Sequence, residues 1–127
     1  MMYNKIVRDC FFNPQHAGSL DLSLSRTAFF STAEFSQDTV IELYMHCDEL
    51  YTVHSMRFRS NGNPYVIAAL EWLCRQSVGN NLNQLNCDFG GLSKVLEIPF
   101  NQSPLLLQVQ DVYKELLSLM NNGKGES

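Results

Sequence analysis

The chain has no pair of cysteines at the C-x2-C spacing, no apolar run near bilayer length and no surplus of basic charge. The first absence removes the usual structural-zinc and dithiol redox motifs. The second removes a membrane-spanning helix, which needs about 20 apolar residues. The third counts against nucleic acid as a partner, since a net charge of −4 is the opposite of a phosphate-binding surface. Charge runs, internal repeats and low-complexity stretches are also missing. The start, Met1-Met2-Tyr3-Asn4-Lys5, has no secretory apolar region. A cytoplasmic protein with no membrane association is the expectation. No Ser-His-Asp set, phosphate loop or paired-carboxylate signature stands out, so no catalytic residue is assigned and the chain is not read as an enzyme.

What is present is an ordinary globular composition. The chain has 127 residues, 45% apolar and 17% charged, enough for one domain with a real core. We expect that domain over residues 1–120, followed by a polar, flexible tail over 121–127.

Residues Tyr3, Ile6, Val7, Cys10 and Phe11 repeat at helical spacing, and Asn13-Pro14 ends that helix. A loop should follow from Gln15 to about Ser25. Three strands are expected next, over residues 26–31, 39–47 and 51–59. In the second, Ile41, Leu43, Met45 and Cys47 face one way, and Val40, Glu42, Tyr44 and His46 the other. Short connections favour an antiparallel meander with one solvated face. Asn63 is a good N-cap and Pro64 a good first residue for a long helix, in which Glu71 and Arg75 make a polar i, i+4 pair and after which Gly79 fits. Short helices are expected near 82–85 and over 92–97, the second broken by Ile98-Pro99. Ser103 and Pro104 should open the last helix, with Leu105, Leu106, Val109, Val112, Tyr113, Leu116 and Met120 as its apolar face. A helix, a run of three strands and then a run of helices make an α+β domain with the helices packed on one face of a three-stranded antiparallel sheet.

The stretch "YNKIVRDCFFNPQHAGSL" resembles the N-terminal helix and Asn-Pro-Arg-Asn-x-Gly-Ser loop of the IscU-type iron–sulfur cluster scaffolds, with Asn13, Pro14, Gly18 and Ser19 matching. "MRFRSNGNP" is similar to that family's Ala-Arg-Phe-Lys-x-x-Gly-Cys-Gly segment. "IPFNQSPLLLQVQDVYKEL" is similar to its Leu-Pro-Pro-Val-Lys segment and final helix. The resemblance covers nearly the whole chain and extends to the N-terminal domain of NifU. It implies an IscU/SufE-like fold and an iron–sulfur assembly context, with cysteine desulfurase or other assembly components as partners.

The family holds its cluster with three cysteines, helped by an Asp and a His. Thiolates suit the metal and carry compensating charge. Carried over one by one, the ligand positions fall on Gln37, with the Asp near Asp38, then on Asn63, and on Pro104 and Leu105. No thiol remains at any of them. A carboxamide is a weak ligand for ferrous iron, and neither Gln37 nor Asn63 can accept a persulfide. The expectation is a degenerate scaffold that cannot hold a cluster and acts as a binding or regulatory module, with no cofactor. One alternative is a genuine scaffold, or an iron- or zinc-binding protein, using non-standard ligands such as Asp38, Cys87 or a histidine. Another is a sulfur carrier using Cys87.

The remaining cysteines, Cys10, Cys47 and Cys74, fall on apolar faces and read as small buried hydrophobes. His16 carries no signal. His46 and His54 could neighbour each other across a hairpin and bind a metal, but solvated or hydrogen-bonded strand histidines are the favoured reading. The family's Leu-Pro-Pro-Val-Lys segment, where an Hsp70-type chaperone binds, reads here Ile98-Pro99-Phe100-Asn101-Gln102. Ile98, Pro99 and Phe100 are the partner-binding candidates, set against a plain helix-breaking linker.

Overall fold

A computed structural model describes residues 3–33, 38–85 and 89–125. The first helix, α1, is Lys5–Phe12, capped by the Asn4 side chain, which accepts the Val7 N–H at 2.8 Å. Strands β1 (Thr27–Ser31), β2 (Ile41–Cys47) and β3 (Val53–Ser60) form one antiparallel sheet in sequence order. Helices α2 (Pro64–Ser77), α3 (Phe89–Val95) and α4 (Ser103–Gly125) follow. The α+β order expected from the sequence is the order found.

One face of the sheet is the core face. Ile41, Leu43, Met45 and Cys47 of β2 and Val53, Met56 and Phe58 of β3 are all buried there. Helix α4 lies across β1 and β2, α2 lies against β3, and α1 packs on α2. The outer face is not uniformly solvated. Tyr44 points outward but is buried, because the Phe29 ring from β1 sits 4.6 Å from its own and Arg57 stands opposite on β3.

Several boundaries move, each for a local reason. Helix α3 begins at Phe89 rather than 92, since Phe89, Leu92 and Leu96 together make the buried stripe. It stops before Pro99 is reached. Glu97 adopts φ +50, and the Ile98 N–H reaches back to the Ser93 carbonyl at 3.0 Å, a Schellman-type end. Ser103 does not cap α4. It is already helical, and the chain enters through a 3-10 turn at Phe100–Gln102. At the other end α4 runs through residues 121–125, so the boundary expected at 120 falls inside a helix. No proline interrupts it, and Asn121 donates back to the Leu117 carbonyl at 3.0 Å. A glycine such as Gly123 costs a helix only about 1 kcal/mol.

The Gln15–Ser25 loop is partly anchored. The Gly18 N–H donates to the Phe58 carbonyl and the Phe58 N–H to the His16 carbonyl, both at 2.9 Å, so residues 16–18 run beside β3 as a short parallel strap. At the start of β3, Val53 and Thr52 pair with the segment Gly79–Asn81. These two contacts blunt an edge that would otherwise offer itself for pairing. Gly79, at φ +93, makes the reversal after α2 that lets the second contact form.

Gly62, between β3 and α2, is a matter of space. A Cβ there would stand 2.7 Å from both Cβ and Cγ1 of the buried Val66. Gly62→Ala is therefore expected to destabilise the domain by about 1–3 kcal/mol, read as a lower urea midpoint with an unchanged slope. An unaltered midpoint would show that the turn yields freely.

Candidate functional site

Four segments meet at the end of the sheet where β2 starts and β3 finishes: Asp38–Val40, Ser60–Gly62, the Asn63 cap of α2, and the 3-10 turn before α4. Side-chain amides and hydroxyls knit them together. Asn61 accepts the Val40 N–H on Oδ1 at 2.7 Å and donates from Nδ2 to the Asp38 carbonyl at 3.2 Å. Ser60 Oγ donates to the Val40 carbonyl at 2.6 Å and accepts the Gly62 N–H at 3.0 Å. Asn63 Oδ1 accepts the N–H groups of Tyr65 and Val66 at 3.0 and 3.1 Å. Its Nδ2 donates to Gln102 Oε1 at 2.7 Å.

Asn63 is thus used on both sides. Its oxygen caps α2, while its nitrogen ties that helix start to the turn that opens α4. Pro104 and Leu105, the positions expected at this corner, stand in the first turn of α4, just after the 3-10 turn. Pro104 is exposed, and Leu105 is half-buried beside Tyr65, Val66 and Val109 along a residual cavity of about 10 Å³. Gln102 fills the place facing Asn63. Its role was hidden because the 3-10 turn, unlike a straight helix start, brings a residue before Ser103 round to face α2. Asp38 is exposed and joins the corner through its main-chain carbonyl. Gln37 and Cys87 lie outside the described residues.

No protein-family model matches this chain, and no curated protein does.

The chemistry of the corner follows from its donors. A cluster scaffold must offer thiolates whose lone pairs are free. Asn63 offers one carboxamide oxygen, already accepting two N–H groups, and a nitrogen with no basic lone pair. The Gln102 oxygen is engaged with that nitrogen. This donor set does not fit an iron–sulfur cluster. Among the described residues, no three His, Cys, Asp or Glu side chains gather anywhere to hold a metal ion.

An open cleft of about 650 Å³ adjoins the corner, lined by Phe11, Pro14, Gly18, Phe58, Ser60, Gly62 and Ile67, with Arg59 at its rim. Its strap wall is held by a carboxylate that is fully buried. Glu71 Oε1 accepts the N–H groups of Gln15 and His16, both at 2.9 Å. Oε2 takes His16 Nδ1 at 2.8 Å and Arg75 Nε at 2.7 Å. Arg75 continues to Asp9 Oδ2 at 2.8 Å and to the Asn13 carbonyl at 3.2 Å. The expected Glu71–Arg75 pair forms, but as the inner part of a network joining α1, the strap and α2. Arg75 holds the Asp9 carboxyl below the usual carboxylate range, and Asp9 in turn, with Glu71 behind it, pushes the Arg75 guanidinium up.

The three described cysteines are buried. Burial pushes the Cys10 thiol up, pushes Cys47 up to about 11, and raises Cys74 further. Ile98 and Pro99 are half-buried, whereas Phe100, at the head of the 3-10 turn, is 91% exposed. His46 and His54 stand at the opposite end of the sheet from the corner.

Proposed function

We propose that this chain is a protein-binding module of the iron–sulfur assembly context: an IscU-like domain that does not hold a cluster and acts through its surface, with a cysteine desulfurase as the partner class. The observation that carries the reading is the Asn63–Gln102 bond at 2.7 Å, in which the carboxamide standing at Asn63, where the resemblance puts a thiolate, is engaged by a second carboxamide. The caps and turns that shape the corner persist without sulfur. Local geometry is therefore separable from ligand chemistry, and a partner that reads shape could still dock. Phe100 supports the same reading. A large aromatic almost wholly in solvent next to the corner is the type of side chain that anchors protein interfaces.

The test has two arms. The purified chain is incubated anaerobically with ferrous iron, cysteine and a cysteine desulfurase, then desalted. The expected result is no charge-transfer absorbance and no retained iron or sulfide, together with co-elution of chain and desulfurase in gel filtration. Phe100→Ala should weaken that complex at least tenfold. A stoichiometric cluster would overturn the degenerate-scaffold reading. Failure to bind the desulfurase at high micromolar concentration would overturn the partner assignment.

A further inference from the structure

Where β2 and β3 leave each other for their connecting turn, the pairing is irregular. His46 stands opposite Ser55 and Cys47 opposite Val53, so β3 carries one residue more than β2. The extra residue is His54. A bulge of this kind interrupts strict alternation and re-aims a side chain. Val53 and Met56 stay in the core, while His54 is exposed and Ser55, the cross-strand partner of His46, is half-buried. The His54 ring comes to rest against the His46 ring, with centroids 5.7 Å apart and planes at 82°.

Both rings are held through Nδ1. His46 Nδ1 lies 2.9 Å from Oγ1 of Thr27, its partner on β1. The same hydroxyl also lies 3.4 Å from the Ser25 carbonyl. In the tautomer where Nδ1–H donates to the Thr27 hydroxyl, the neutral ring carries its free lone pair on Nε2. His54 Nδ1 meets Ser55 Oγ at 3.2 Å. One nitrogen tied to a hydrogen-bond partner and the other free is the arrangement that orients a metal-binding imidazole.

The spacing fits as well. With metal–nitrogen bonds of about 2.1 Å, two imidazole centroids around one ion can stand up to about 6.4 Å apart. The observed 5.7 Å lies inside that limit.

We infer that His46 and His54 form a two-imidazole site for a borderline divalent transition-metal cation of the zinc, copper and nickel type, bound through the two Nε2 atoms. Imidazole suits these ions and not the hard, oxygen-seeking ones. Among the described residues no third His, Cys, Asp or Glu joins the pair, so water completes the coordination and the ion is exchangeable. Thr27 is a positioning residue. The site is independent of the carboxamide corner, at the other end of β2.

The test uses the full chain and zinc chloride at neutral pH. Calorimetry should report one zinc per chain, and imidazole nitrogen NMR should show the Nε2 resonances of His46 and His54 moving with it. His46→Asn and His54→Asn should each weaken binding at least tenfold, and Thr27→Val several-fold. His54 is exposed, so its variant should keep the wild-type circular dichroism and melting temperature. Zinc binding that leaves both sets of resonances unmoved, binding undiminished in His54→Asn, or no binding at millimolar zinc would each overturn the assignment.

Discussion

Glu71→Ala is expected to cost about 3–5 kcal/mol of folding stability, the range found when one partner of a buried charge pair is removed. The domain's whole margin should be of the order of 5–15 kcal/mol, so the variant should approach the threshold of folding. Four donors converge on that carboxylate. Without it, the N–H groups of Gln15 and His16 and the Nε of Arg75 lose an acceptor that is itself fully buried. Glu71→Gln separates the contributions. Its carbonyl can still accept the two backbone N–H groups, but its NH2 then confronts Arg75 Nε, so a smaller loss is expected. The effect should also be local. Hydrogen exchange at the amides of Gly18 and Phe58, which hold the strap to β3, should accelerate before the rest of the sheet does. A loss below 1 kcal/mol with those amides still protected would show that the strap is held by something else.

That network marks the limit of what the sequence discloses. The alternation of β2 and the Asn63-Pro64 start of α2 were legible because each depends on residues close together in the chain. Glu71 was legible only as half of an i, i+4 pair. Nothing local says that residues 15 and 16, 56 and 55 positions earlier, fold back to cover it. Gln102 was hidden in the same way, since its partner lies 39 residues earlier. The bulge at His54 is a third case. Regular alternation would turn His54 and Ser55 to opposite faces, and only the register with β2 reveals that both look outward. Periodicity names a residue's face, whereas the groups that close the corner, the Glu71 network and the imidazole pair are matched across elements, and a single sequence does not encode that match locally.

The described cysteines supply the second large effect. Cys10, Cys47 and Cys74 should be alkylated at least about a thousandfold more slowly in the folded protein than in denaturant, because reagent reaches them only through opening of the domain. Burial acts twice. It excludes the reagent, and it disfavours the thiolate, which is the reactive form. For Cys47, burial and the nearby Asp48 carboxylate move the thiol from an ordinary 9.0 to about 11, which lowers its thiolate fraction at neutral pH about a hundredfold. Cys74 is raised further, by burial and then by the charge of Glu71. Mass spectrometry of tryptic peptides after a short iodoacetamide pulse would follow each position separately. Protection of all three should end together at the urea midpoint. Rapid labelling of Cys47 in native buffer would mean that the β2 end opens on its own.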